Sequence, residues 1–161
     1  MIRCPSVLRK FVLAAIASVL ATATLADTIA GTASVIDGDT IEIHGQRIRL
    51  HAIDAIESRQ RCYLPDGRAW NCGKQAAFAL AEKFGRAPVA CDIRDVDRYE
   101  RWVGVCRQGK EDLNAWLVRS GWAVAYRRYG RDYVAEETSA RSRRVGIWSS
   151  TFEMPWDWRR R

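Results

Sequence analysis

Acidic and basic residues alternate where apolar segments meet. The run Val35-Ile36-Asp37-Gly38-Asp39-Thr40-Ile41 is followed by Arg47-Ile48-Arg49-Leu50-His51-Ala52-Ile53-Asp54-Ala55-Ile56-Glu57. Carboxylates gather at the Asp-Gly turn and again where the later segment ends, with arginines between them. A packed core has no use for that arrangement. A site that holds a hard cation beside a phosphate does, because carboxylate oxygens ligate such a cation while planar guanidinium groups clamp phosphate oxygens.

The elements that must position these groups are readable from period and punctuation. β-branched residues on both sides of Asp37-Gly38 predict strands meeting at a tight turn. Strands are predicted over residues 28–36, 40–44 and 46–53, the last two joined at Gly45, and a loop over 57–71. A helix is predicted over 73–84 with an apolar stripe around Phe78, then a hairpin of strands 89–93 and 102–106. A second helix over 111–120 carries Leu113, Trp116 and Leu117 at i, i+3 and i+4, and a third, polar on most faces, covers 132–144. Strands in the order three, helix, two, then helices, predict an α+β, mainly β fold. That order suits a five-stranded oligonucleotide/oligosaccharide-binding barrel with three helices, a shape whose face and loops bind single-stranded polyanions.

One domain is expected over 27–161. Arg3, Arg9 and Lys10 precede the apolar run 11–20, and small residues lead to Ala26, as in a secretory signal peptide cleaved after residue 26. The apolar run is short for a membrane anchor, which needs about 20 residues. The expected mature protein is secreted or periplasmic and does not hold to the membrane. Residues 1–26 carry three positive and no negative charges, so the formal charge of +7 falls to +4, in keeping with a polyanionic partner.

Four cysteines remain, Cys62, Cys72, Cys91 and Cys106, and export favours disulfides. A zinc site is disfavoured because no CxxC knuckle is present. Of three formal pairings, Cys62–Cys72 would close a loop and Cys91–Cys106 would bridge a hairpin.

Four motifs give the chain a resemblance to the staphylococcal nuclease (thermonuclease) family: Asp37-Gly38-Asp39-Thr40, Arg49 through Asp54 to Glu57, Asp97-Arg98-Tyr99-Glu100-Arg101, and Leu113-Asn114-Ala115-Trp116-Leu117-Val118-Arg119-Ser120-Gly121. The similarity runs from about Ile29 to Trp148, with order and spacing matching together. It implies a calcium-dependent (Ca2+) phosphodiesterase that cuts DNA and RNA, single strands preferentially, and leaves 3′-phosphate ends. By position, the resemblance puts Asp39, Asp54 and the backbone carbonyl of Ala55 on calcium, with Asp37 and Thr40 supporting them from outside the ligand set. It puts Arg49 and Arg101 on the scissile phosphate, makes Glu57 the base for the attacking water, and sets Tyr99 and Tyr126 beside the nucleotide. Where the family has Thr-Pro, this chain has Ala55-Ile56, which alters loop rigidity but leaves the carbonyl donor in place. A monomer is expected.

Asp-Gly turns and strand-ending aspartates are common structural punctuation, so neither Asp39 nor Asp54 alone marks a site. Their combination with Arg49, Glu57 and Arg101 does. Arg47, Arg98 and Arg107 read as surface salt-bridging residues, Trp148, Trp156 and Trp158 as packing of the C-terminal segment, and residues 159–161 as a solvated tail. The competing class is a noncatalytic nucleic-acid-binding barrel, which would be expected to have lost at least one of the five. The functional reading also makes a geometric demand. Arg49 and Asp54 are an odd number of positions apart, so an unbroken strand would point them to opposite faces. The backbone must bulge or bend between them, near Ile53, or leave the sheet early.

Overall fold

The computed structural model describes residues 27–161. The expected signal peptide, residues 1–26, lies outside the described residues. The first expected strand is divided at Thr32 into β1 (Thr28–Gly31) and β2 (Ala33–Asp37). β3 (Thr40–Ile43) and β4 (Gln46–Leu50) follow, joined by His44 and Gly45, both at positive φ as a two-residue hairpin turn requires. The chain continues through β5 (Ile53–Ala55), β6 (Cys62–Tyr63), β7 (Ala69–Trp70), α1 (Cys72–Phe84), β8 (Val89–Val96) and β9 (Trp102–Gln108). It ends with β10 (Glu111–Asp112), α2 (Leu113–Arg119), β11 (Ala123–Ala125), α3 (Val134–Ser142), a 3-10 turn (Gly146–Ser149) and α4 (Pro155–Trp158).

The main sheet is ordered β1-β8-β9-β4-β3-β2, with β10 added to β9. Its two end strands are halves of one chain segment joined through Thr32, so the sheet must curl back toward itself. The result is α+β, mainly strands, of the kind that fits an oligonucleotide-binding-like barrel. The expected count of five strands and three helices is too simple. Bends split two long strands, short strand pairs form in the 57–71 loop and after α2, and Pro155 at the first position starts a fourth helix.

The second of those bends matters most. β4 pairs in parallel with β9, whereas β5 pairs antiparallel with β11. Between them Ala52 turns to φ 56°, the His51 amide donates to the Gly104 carbonyl at 2.8 Å, and the Tyr126 amide donates to the Ala52 carbonyl at 2.8 Å. Buried Asn114 fastens this corner. Its Nδ2 donates to the carbonyls of His51 (3.0 Å) and Gly104 (3.2 Å), and its Oδ1 accepts from the Cys106 amide (3.1 Å).

Ile41, Ile43, Ile48 and Leu50 from the curled sheet meet Leu113 and Leu117 of α2 in the main core. Trp116 packs against its edge, as the i, i+3, i+4 spacing predicts. The Asp112 side chain caps α2 by accepting from the Ala115 amide at 2.9 Å. The predicted stripe of α1 is displaced. Cys72, Ala76, Leu80 and Phe84 form its buried face at four-residue spacing, and Phe78, half a turn round from Ala76, is 58% exposed. The disulfides are Cys62–Cys72 and Cys91–Cys106, the latter between directly opposed residues of β8 and β9. No helix among the described residues is long and apolar enough to cross a membrane.

Candidate active site

The acidic tip between β2 and β3 is shaped by a register shift between Val35 and Asp37 and by the Asp37 carboxylate, which accepts from the Asp39 amide at 3.1 Å. Gly38 sits in this tip for space rather than for a positive φ. A Cβ there would lie 2.7 Å from the Ala55 Cβ and 3.2 Å from the Ala76 Cβ. The tip therefore lies flat on β5, and the Ala55 amide donates to Asp39 Oδ2 at 2.6 Å. The Thr40 hydroxyl approaches Asp39 Oδ1 at 3.5 Å, at the long limit of a hydrogen bond.

Asp39 and Asp54 are both buried, and one guanidinium joins them. Arg49 pairs with Asp39 Oδ1 and donates from Nη2 to Asp54 Oδ1 at 2.8 Å. The odd spacing is resolved at His51-Ala52, just before Ile53, where the chain leaves one sheet for another. Glu57 follows on a loop pinned by Gln60, whose amide donates to the Glu57 carbonyl at 2.8 Å and whose Oε1 accepts from the Glu57 amide at 3.3 Å. Gly73 lets this loop rest on the start of α1, since a Cβ there would stand 1.8 Å from the Glu57 carbonyl oxygen.

The C-terminal tail departs from expectation. Arg159 is exposed but ion-paired. Its Nη1 and Nη2 donate to Asp54 Oδ1 and Oδ2 at 3.0 and 2.7 Å, and Nη1 also pairs with Glu57. The hydrogen bonds to Asp54 foremost, with those to Glu57, raise the Arg159 pKa against the opposing effect of burial. Within this cluster one fully buried carboxylate is shared by two arginines.

Asp39, Arg49, Ala55, Glu57 and Arg159 line one cleft of about 1460 Å³, together with Tyr99, Arg101 and Tyr126, and Asp54 lies buried behind them. Arg101 is not bonded to the acids. It donates from Nε and pairs through Nη2 with Asp97 at 2.8 and 2.7 Å. Partial burial would raise the Asp97 carboxyl, but hydrogen bonds from the Arg101 side chain and the Tyr99 and Arg101 amides hold it below the usual carboxylate range. Tyr99 is 63% exposed, with the Arg98 and Arg101 guanidiniums 4.8 and 5.4 Å from its ring centre. The Tyr126 ring is stacked against Trp156 at 5.3 Å and meets Tyr129 edge-on at 5.1 Å. Trp148 and Trp156 do pack the C-terminal segment onto a second small core around Ile56 and Ile147.

Among the described residues no group of three or more His, Cys, Asp or Glu is placed to hold a metal ion. The acid set is Asp39 and Asp54. Their donor chemistry still fits a hard cation: both are buried carboxylates, and both already face cationic guanidinium groups. Two side-chain donors would leave most of the coordination shell of a calcium ion to backbone, water and phosphate oxygens.

The family model described as Staphylococcal nuclease homologue matches residues 47–150. The succinoglycan biosynthesis protein ExoI of Rhizobium meliloti (strain 1021) is 43% identical over 126 residues, which cover 76% of this chain and 66% of that protein. The micrococcal nuclease of Shigella flexneri is 34% identical over 169 residues, covering 94% of this chain and 91% of its own length. An uncharacterized endonuclease of Escherichia coli O157:H7 is 33% identical over 135 residues, covering 79% and 82%. With three of its four motifs contributing to one cleft and relatives aligned across most of its length, the chain belongs to the staphylococcal nuclease homologue family.

Proposed function

We propose that the protein is an exported, calcium-dependent nuclease that hydrolyses phosphodiester bonds of DNA and RNA without sequence selection and leaves 3′-phosphate ends. The observation that carries the reading is the pair of buried carboxylates, Asp39 and Asp54, joined by Arg49, with Asp39, Arg49 and Glu57 lining an open cleft. A noncatalytic binding module gains nothing from buried acids in a cleft meant for a polyanion. Each costs desolvation free energy and repels phosphate.

Asp39, Asp54 and the Ala55 carbonyl would hold the metal. When bound, calcium supplies positive charge next to the phosphate and holds it in place. Arg49 donates to a phosphate oxygen. Glu57 accepts a proton from a water whose oxygen attacks phosphorus in line, so the new bond is P–O and the broken bond is phosphorus to the 5′-oxygen. That oxygen leaves and takes a proton from solvent, while the 3′-oxygen keeps the phosphate. Arg101 stabilises the charge that builds on the equatorial oxygens, where a bidentate donor favours the transition state over the ground state. Exposed Tyr99 offers a π-face to an unpaired base, and Tyr126 lines the same cleft beneath Trp156, which supports a preference for single strands. Export is supported by the composition of residues 1–26 and by two disulfides, which persist in oxidising compartments. The protein acts as a monomer.

The test is single-stranded DNA incubated with purified protein in calcium or in chelator, with the product ends identified. Calcium-dependent cleavage to 3′-phosphates and 5′-hydroxyls is expected, and Asp39→Ala should abolish it in a folded protein. Binding without cleavage would establish the noncatalytic module, and 5′-phosphate ends would overturn the direction of attack. N-terminal sequencing of secreted protein should begin near Asp27.

A further inference from the structure

We infer that the end of the C-terminal segment, through Trp156 and Arg159, is a built-in occupant of the cleft that metal and nucleic acid must displace; the inference rests on the nuclease reading above. Two side chains three residues apart take up two positions that the reading assigns to ligands. Trp156 lies face to face on Tyr126, at 5.3 Å with 15° between the ring planes, and so covers an aromatic face offered to a base. Arg159 places both terminal nitrogens on Asp54 and one on Glu57, and so neutralises carboxylates assigned to the cation and to the attacking water.

The segment is fixed at its root and held by charge at its tip. At the root the Gln60 Nε2 donates to the Glu153 carbonyl at 2.5 Å, Pro155 is buried, and Met154 packs against the Ile56 cluster. Past Trp158, the side chains are held by ion pairs: Arg159 with Asp54 and Glu57, Arg160 with Asp157, and Arg161 with Glu153. The Arg159 side chain is 39% exposed, so its guanidinium can leave by rotation while the root stays packed. Asp54 has no such freedom, because its carboxylate is fully buried and needs a cation in every state. Arg159 is the second cation in the metal-free state, and calcium takes its place on loading.

Competition for one carboxylate has a signature that simple packing lacks. Removing the competitor tightens metal binding, because the binding-competent fraction of the protein rises. It also weakens the metal-free fold, because Asp54 keeps only Arg49. A packing role would change stability equally with and without metal.

The experiment uses the full mature chain and Arg159→Gln. Calcium chloride is titrated calorimetrically without nucleic acid, and Tm is measured in chelator and in saturating calcium. The variant should bind calcium about tenfold more tightly or better, as expected for losing a bidentate charge-assisted pair. Its Tm should fall in chelator, and the deficit should close in calcium. If the variant does not fold in chelator, Arg159→Lys, which keeps the charge without the fork, should give the same signs at smaller size. Wild type and variant binding calcium with equal affinity, or a Tm deficit equal in both conditions, would overturn the latch and leave the nuclease reading standing. Failure of both proteins to bind calcium would overturn the metal site and the latch together. Calcium binding by the variant alone would mean that Arg159 closes the site fully.

Discussion

Gly38→Ala is the sharpest test of how the fold builds the site. Two unbonded methyl carbons rest about 3.5–4.0 Å apart, yet a Cβ on residue 38 would stand 2.7 Å from the Ala55 Cβ. The Asp37-Gly38-Asp39 tip and β5 would have to separate by about 1 Å to restore ordinary contact. That movement falls on the bond from the Ala55 amide to Asp39 Oδ2, now 2.6 Å, and takes it beyond hydrogen-bonding range. Overpacking of this kind costs about 1–3 kcal/mol. At roughly 4 °C per kcal/mol for a domain of this size, Tm should fall by about 4–12 °C. A misplacement near 1 Å in catalytic geometry costs on the order of 100-fold in rate, so kcat/KM should fall further than stability alone explains. The rescue is specific. Ala55→Gly removes the colliding methyl and leaves the Ala76 Cβ, at 3.2 Å, as the nearest neighbour. Gly38→Ala with Ala55→Gly should therefore regain most of the lost activity, although glycine in a strand costs about 0.5–1 kcal/mol. Thermal melts and initial rates on single-stranded DNA measure both effects. A Gly38→Ala enzyme with wild-type activity, or a double variant no better than the single one, would refute the close-approach account.

Arg101→Lys keeps the charge but loses the fork, so kcat should fall by the equivalent of about 2.7–4 kcal/mol with KM nearly unchanged; single-turnover rates within a few-fold of wild type would contradict its place on the phosphate. Glu57→Gln should slow hydrolysis while calorimetric calcium binding persists, and loss of calcium binding instead would make Glu57 a ligand rather than the base. Breaking Cys91–Cys106, a separation of 15 residues, should cost about 3 kcal/mol in chemical denaturation of a Cys91→Ala, Cys106→Ala variant, and an unchanged midpoint would count against it. His51 lies below its ordinary value of 6.5 because of burial first and the nearby Arg94 second. Its folded form binds protons less readily than the unfolded chain, so its contribution is complete above 6.5 and is lost as pH falls through the lowered value. His51→Gln should flatten the stability profile in that window, and an identical profile would remove His51 from the account.

Charge and period made much of this molecule readable before any coordinates. The acids and arginines of the 37–57 stretch stand out because they interrupt apolar strand patterns, and the pairing of Cys91 with Cys106 follows from their places across a hairpin. The parity of Arg49 and Asp54 even demanded a bend, which lies at His51-Ala52. Features set by approach between distant segments stayed hidden. The α1 stripe differs from the apolar pattern because Phe78 is apolar yet exposed, while small Ala76 is buried. Gly38 reads as a turn glycine, and its use as clearance for Ala55 depends on β5 joining β11 rather than extending β4. Arg159 lies 105 positions from Asp54, and no local pattern joins them. A physical signal was present even so. A fully buried carboxylate must be compensated in every state, and residues 159–161 are three arginines beyond a tryptophan-rich turn. Asp54 needs cations beyond its own strand neighbourhood, and one of them, Arg159, comes from that run, whose composition by itself suggests only solvent.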